Sequence, residues 1–281
     1  MPEPGLHEAE RVERHEIVFP TAGLYVREIA GRREHADATR VVFGNAGDCY
    51  RVHHPVPGGD RCTVITLGPG LVEAVAGATG AMAAAPGDPR FPLRSRGIDG
   101  RLYAMHRRVV RLHAGGAADR LEVDERVFQV VHLAIAGEHA RPGAGGAPRR
   151  GARRVRDRAL ARAIEVVHLR FRERLSLDDV GREAGYSPFH LARLFRSHTG
   201  LPVHQYVNRL RLRAAFEAVL DGPADLSAVA LSHGFSSHSH FTAAFGREFG
   251  IAPSAARAGY SRLNQRDGRL ALSSASRRQG T

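Results

Sequence analysis

Two stretches decide the fold: residues 177–203 read LDDVGREAGYSPFHLARLFRSHTGLPV, and residues 226–253 read LSAVALSHGFSSHSHFTAAFGREFGIAP. Leu177, Val180, Gly185, Tyr186 and Ser187 match Leu226, Val229, Gly234, Phe235 and Ser236 at an offset of 49. After one inserted residue, His190, Leu191, Phe195, Gly200 and Leu201 match His240, Phe241, Phe245, Gly250 and Ile251 at an offset of 50. A single drift of one residue over this length marks an internal repeat. In each copy a short helix (Leu177–Ala184; Leu226–His233) runs into a Gly, the residue that takes the helix-ending left-handed conformation without steric cost. Tyr186 or Phe235 then packs at the turn, and Ser187 or Ser236 is placed to cap the next helix by accepting a backbone N–H. That helix sets Leu191, Leu194 and Phe195, or Phe241, Ala244 and Phe245, on its inner face at spacings of three and four. It stops at Gly200 or Gly250.

Helix, short Gly-containing turn, helix is the helix-turn-helix plan, whose second helix enters the major groove of DNA. Between the copies, Val203–Leu220 is a continuous helical pattern of roughly 27 Å at ~1.5 Å per residue. A rod of that order suits two recognition helices near the ~34 Å that separates successive major-groove faces. Ahead of the first copy, Arg156–Arg174 predicts another amphipathic helix, with Leu160, Ile164, Val167 and Phe171 inward.

The charge distribution agrees with this placement. The chain has 281 residues and a formal charge of +12, and all its basic residues are Arg. Residues 1–145 hold 18 Arg and 18 Asp+Glu, residues 146–281 hold 23 Arg and 11 Asp+Glu, so the entire excess lies in the C-terminal half. That asymmetry fits a regulatory module joined to a polyanion-binding one. Residues 141–154, rich in Gly, Pro and Arg, predict a flexible linker, and 261–281 a disordered tail. The folded units are then 1–140 and 155–260.

The N-terminal unit opens with β-type runs, His15–Phe19, Leu24–Ile29, Arg40–Phe43, Cys49–His53 and Cys62–Leu67, separated by turn signals such as Gly68-Pro69-Gly70. Beyond Pro92 the period changes: Leu102, Met105, Val109 and Leu112, then Leu121, Val127, Val130, Val131 and Ala134, read as a helical pair. The expected fold class is α+β, a β-rich cupin-like barrel or sandwich with a helical pair, followed by an all-α double helix-turn-helix domain.

Over about residues 156–257 the chain resembles the AraC/XylS family of transcriptional regulators. The likeness rests on Leu177-x-x-Val180, Gly185-Tyr186-Ser187, Leu191, Phe195 and Gly200, then Arg209-Leu210 and Ala214, then Gly234-Phe235, Ser239-His240-Phe241, Phe245, Phe249-Gly250 and Pro253. Ala256-Arg257 stands where the family often has Tyr-Arg. The resemblance implies a cytoplasmic activator or repressor that binds double-stranded DNA, with effector binding or dimerisation in the β-rich domain. It places the first recognition helix at Pro188–His198, with Ser187 at its start and Phe189, His190, Ala192, Arg193 and Arg196 facing the groove or its rim. In the second copy the outward set is Ser237, His238, Ser239, Thr242 and Ala243, with Arg247 at the edge. Arg193 is the candidate for direct readout, because a guanidinium can bond guanine O6 and N7 together. His190 and His240 are expected on the phosphate backbone or the turn. Arg209, Arg211 and Arg213, with Arg153, Arg154 and Arg158, are expected on phosphates.

The β-rich half also holds a cluster that invites other chemistry. Cys49, His53, His54 and Cys62 lie close together, but adjacent His on a strand point to opposite faces, and no Cys-x-x-Cys accompanies them. Structural or surface His and buried free thiols are the expectation, with a Cys49–Cys62 redox pair the alternative. No phosphate loop or nucleophile elbow appears, so neither catalysis nor a cofactor is expected. The competing class is a metal- or small-molecule-dependent barrel enzyme fused to a DNA-binding module. No run of 18 apolar residues and no signal peptide occur, so no membrane partner is expected. Homodimerisation and, for an activator, contact with RNA polymerase complete the expected partners.

Overall fold

The computed structural model describes residues 9–79, 83–85, 88–115, 119–136, 150–222 and 225–265. Residues 141–149 of the expected linker and 266–281 of the expected tail therefore lie outside the described residues. Six strands come first: β1 (Glu10–Arg11), β2 (Glu16–Ile29), β3 (Arg32–Asp37), β4 (Arg40–Gly44), β5 (Cys49–His53) and β6 (Asp60–Thr66). Strand β2 is long enough to serve two sets of partners. Its first part pairs with β4 and β6, its last part with β3 and β5, all antiparallel. Where the hydrophobic pattern predicts two strands, His15–Phe19 and Leu24–Ile29, the chain makes one, because the interruption is absorbed as a bulge. The register against β6 shifts at Pro20–Ala22. There Pro20 has no N–H to donate, and Thr21 Oγ1 bonds the Arg61 carbonyl at 3.1 Å, so the strand bends without ending.

Pro69, expected in a turn, instead opens α1 (Pro69–Thr79), since the first helical position needs no N–H. The short hairpin β7 (Ala83–Ala85) and β8 (Asp88–Arg90) follows, and β9 (Ser95–Gly97) then joins β4, completing a seven-stranded sheet. The expected helical pair is α2 (Gly100–Gly115) and α3 (Arg120–Ala136). Helix α4 (Arg150–Arg170) starts inside the expected linker, because Arg and Ala are strong helix formers and only Gly151 interrupts them. The repeat supplies α5 (Leu177–Ala184) and α6 (Pro188–Thr199), the rod α7 (Val203–Asp221), then α8 (Leu226–Ser232) and α9 (His238–Phe249). Helix α10 (Pro253–Gln265) closes the described chain, so residues 261–265 of the expected tail are helical. The protein is α+β, an antiparallel sheet followed by a helical region.

The two halves share their cores. One apolar cluster runs from Ile17, Phe19 and Phe43 of the sheet through Tyr103 and Val130 of the helical pair to Phe216 of α7 and Phe241 and Phe245 of α9. A second joins Leu24 and Val56 to Ile164 of α4, Leu191 and Phe195 of α6 and Tyr206 of α7. The sequence reading of two separate units thus underestimates the packing between them.

Polar groups fix the seam. Arg107 meets Glu217 with Nε at 2.8 Å and Nη2 at 2.7 Å, and Tyr103 Oη donates to the same carboxylate at 2.8 Å. Arg213, only 1% exposed, lies 4.3 Å over the Tyr103 ring, donates to the Ile98 carbonyl and pairs with Glu248 at 3.2 Å. Desolvation lowers its pKa to about 10, which still leaves it cationic at neutral pH. At the other end Asp37 accepts from Thr39 N and Oγ1, from His168 and from Tyr206. Burial pushes its carboxyl up, but the bonds from His168, Thr39 and Tyr206 win and hold it well below the usual carboxylate range.

The close approach of the halves makes Gly100 indispensable: a Cβ there would fall 2.1 Å from the Glu248 carbonyl oxygen of α9. Gly100→Ala is expected to lower the unfolding free energy of the whole chain by about 1–3 kcal/mol, read from denaturant midpoints. His106, 1% exposed and stacked on Phe19 at 4.3 Å, has no hydrogen-bond partner for either ring nitrogen among the described residues. Burial lowers its pKa to about 3, against roughly 6.5 in an unfolded chain. Between those values the unfolded state holds more protons, so stability is kept above pH 6.5 and falls as pH drops toward 3, by up to about 1.4 kcal/mol per pH unit for this residue. His35 and His198, whose pKa values burial lowers to about 3 and about 4, add to the same slope, so denaturation at pH 7, 6 and 5 should show a fall that His106→Phe reduces by its own share.

Candidate nucleic-acid interface

The first repeat is capped at every joint. Ser176 and Asp179 form a reciprocal capping box at the start of α5, and Gly185 ends it in the left-handed conformation. Ser187 caps α6 by accepting from His190 N at 3.4 Å, with Pro188 in the first turn. Leu191, Leu194 and Phe195 are buried as the spacing predicts. On the opposite side Phe189 is 77% exposed, His190, Arg193 and Arg196 are exposed, and Ala192 is half-buried. The guanidinium groups of Arg193 and Arg196 make no hydrogen bond or ion pair among the described residues, so both are available to an external anion.

The second repeat matches with one difference. Ser237, not the expected Ser236, caps α9 by accepting from His240 N at 3.2 Å. Ser236 Oγ instead lies 3.3 Å from His240 Nδ1. The inserted residue that changes the offset moves the cap by one. Phe241, Ala244 and Phe245 are buried, while His238, Ser239, His240, Ala243 and Arg247 are exposed and Thr242 is half-buried. His190 Nδ1 lies 2.7 Å from Ser187 Oγ. Both repeat His therefore brace the turn, and Ser187 and Ser237 are engaged as caps. Gly234 is required by its position, with φ +79 and a Cβ that would sit 2.6 Å from the Arg172 carbonyl oxygen.

The arginines of α7 correct the sequence reading. Arg211, expected on phosphate, donates to the Phe171 carbonyl at 2.5 Å and the Glu173 carbonyl at 2.6 Å, tying α7 to the end of α4. Arg209 lies 3.6 Å from Glu248 and 3.5 Å from the Ile98 carbonyl, and Arg213 is buried. Periodicity gave no warning that α7 runs through the interior with neighbours on all sides. Arg154 and Arg158 are exposed on α4, and the side chain of Arg153 lies outside the described residues. Tyr103, Arg107 and Glu217 were not singled out. The signal was a stripe at four-residue spacing, Arg209, Arg213, Glu217 and Asp221, facing Tyr103, Arg107 and Arg111 of α2.

In the β-rich half, Cys49 is exposed rather than buried, and Cys62 is half-buried with its thiol 2.8 Å from Asp60. His54 meets the other oxygen of Asp60 at 2.5 Å. Among the described residues no group of three His, Cys, Asp or Glu side chains is placed to hold a metal, and no helix is long and apolar enough to cross a membrane.

A family model described as a helix-turn-helix domain matches residues 180–259. Those residues form a helix-turn-helix domain. Similar sequences include the HTH-type transcriptional activator AarP of Providencia stuartii, 36% identical over 81 residues, 29% of this chain and 60% of that one. The HTH-type transcriptional regulator GlxA of Rhizobium meliloti is 35% identical over 143 residues, 50% of this chain and 43% of that one. The chain thus spans less than two thirds of the length of these relatives. A solved AraC-type regulator from Chromobacterium violaceum matches 41% of this chain and 98% of its own at 28% identity, with a TM-score of 0.36.

Because Arg211 bonds the protein's own carbonyls, Arg211→Ala should lower stability by about 1–3 kcal/mol. The salt dependence of DNA binding by the folded protein should stay unchanged, as a denaturation curve and a salt titration would show together.

Proposed function

We propose that this protein is a sequence-specific DNA-binding transcription regulator whose two helix-turn-helix units read successive major-groove faces. The observation that carries the reading is the pairing of two equivalent second helices, α6 and α9, whose outward sides are uncovered while their inner sides are fully packed. Helix α6 supplies the stronger reader. Arg193 is exposed and unengaged, suited to bidentate bonding with guanine, and Phe189 offers an apolar face to a thymine methyl. Helix α9 presents Ser239, Thr242 and Ala243, which are short and uncharged, so its share of base discrimination is smaller. Arg196, Arg247, Arg154 and Arg158 serve phosphates, which set affinity and salt dependence without sequence information.

The β-rich half acts as the controlling domain, through a small-molecule effector or a second copy of the chain, and an activator would also touch RNA polymerase. The expected cellular setting is the cytoplasm.

Selection of bound genomic fragments by the purified protein, followed by footprinting, tests the reading. Protection of two successive major-groove faces is the expected result, and absent or salt-insensitive binding contradicts it. Within the selected site, Arg193→Ala should relax preference at one base position by about 1–3 kcal/mol, while Arg196→Ala weakens all sequences alike. Identical behaviour of the two variants would remove α6 from base reading.

A further inference from the structure

The β-rich half meets the helical half along a seam whose two ends are closed by different chemistry. Toward the second helix-turn-helix unit the closing contacts are ion pairs of arginine with glutamate, Arg107 with Glu217 and Arg213 with Glu248. Toward the first unit they are imidazoles. On β2, Leu24 stands opposite Asp37 of β3, and Val26 stands opposite both His35 of β3 and His53 of β5. Residues directly opposite across a ladder share a face, and Leu24 belongs to the core of the first unit, so this register turns His35, Asp37 and His53 toward that unit. His198, in the last turn of α6, meets His35 edge to face at 5.9 Å between ring centroids. His168 of α4 lies 3.2 Å from Asp37. Histidines from β3, β5, α4 and α6 thus gather around one buried carboxylate, and Asp37 is already engaged by Thr39, His168 and Tyr206.

We propose that this end of the seam is a proton-operated joint: closed while its histidines are neutral, it opens as they take up protons and frees the first helix-turn-helix unit from the β-rich half. Closure suits only a neutral His35. Its Nδ1 is buried without a hydrogen-bond partner among the described residues, so a proton there would have neither water nor an acceptor. The remaining charges around the group give little relief. Arg40 of β4 and Asp157 of α4 flank His198 with opposite signs. Around His53, Arg33 pairs with Glu28 and Glu165 with Arg162, and His54 is held by Asp60. Burial lowers the pKa of His35 to about 3 and that of His198 to about 4, and pushes that of His53 down too. Against roughly 6.5 for a free imidazole, the open joint holds more protons than the closed one. Closure is therefore fully favoured above pH 6.5, and below it each imidazole shifts the balance toward the open form by up to about tenfold per pH unit. His198, the more open to water of the pair, carries the smaller share. Arg213, with a pKa of about 10, keeps its charge across this interval, so the other end stays fastened. The joint goes beyond the regulator reading and does not depend on what the first unit binds.

The test probes each end of the seam with a buried cysteine in the full chain, after Cys49→Ser and Cys62→Ser remove the native thiols. Val56, in the core of the first unit, and Ala256, in the core shared with the second, are 7% and 2% exposed. Labelling by 4,4′-dithiodipyridine is measured at pH 7.0 and 5.5 and divided by the rate of a cysteine peptide at the same pH. Val56→Cys should react at least tenfold faster at pH 5.5 than at pH 7.0, and Ala256→Cys should stay at least tenfold slower than Val56→Cys at pH 5.5. Added to Val56→Cys, His35→Gln should cut the acid rise at least threefold, and so should His198→Gln, made at an exposed site that tolerates exchange. His204→Gln, exposed at the start of α7, should leave the rise whole. A Val56→Cys rate indifferent to pH, or a rise left whole by both His35→Gln and His198→Gln, would overturn the joint. Equal labelling at the two positions at pH 5.5 would do so too, since the chain would then be unfolding as one body.

Discussion

Arg213 holds a positive charge in the middle of this protein, and much of the structure exists to keep it there. Its guanidinium lies against the Tyr103 ring, donates to the Ile98 carbonyl and pairs with Glu248. Taking such a charge out of water is costly, and its pairing restores only part of that cost. The gain is specificity of arrangement. Tyr103 and Ile98 belong to the N-terminal half, Arg213 to the connecting helix and Glu248 to α9, so only one docking satisfies all of them. Glu217, gripped by Arg107 and Tyr103 one turn further along, fixes the same choice.

Helix α7 is thus the member to which the other parts are fastened. Its N-terminal part joins the core of the first unit through Tyr206, Val207 and Leu210, and its C-terminal part joins that of the second through Leu212, Phe216 and Val219. The sheet and its helices grip this rod from behind, at Asp37 on one end and at Glu217 on the other. The outward residues of α6 and α9 stay uncovered. A change at this seam would alter the relative placement of α6 and α9 rather than the exposure of their outward sides.

The double repeat was legible in the sequence because Gly, aromatic and Ser positions recur at nearly constant offset, and each has a local job that tertiary context does not override. Gly185 ends a helix, Ser187 caps one and Phe195 fills the space beneath. The outward residues are those that the family resemblance implies. The cap Ser237 was missed by one position because Ser236 and Ser237 are chemically identical and only backbone geometry separates them. The continuous strand β2 reads as two runs because residues 20–23 interrupt its apolar pattern, an interruption that a bulge accommodates. Arg209, Arg211 and Arg213 read as phosphate contacts because a basic helix between two helix-turn-helix units looks solvated. Their true partners, Ile98, Glu248, Phe171 and Glu173, are mostly backbone carbonyls or residues far along the chain, and nothing local in the sequence points to them.

The bidentate grip of Arg107 on Glu217 has a consequence for how such chains can diverge. Two residues 110 positions apart, one in each half, form a lock that neither half can alter alone, since changing one member strands a charge in a nearly dry seam. Drift at these positions has to be concerted, and a helix-turn-helix half borrowed from another protein would arrive carrying the wrong key. The two halves look like interchangeable parts along the chain, yet their shared interior makes them a matched pair that is inherited together.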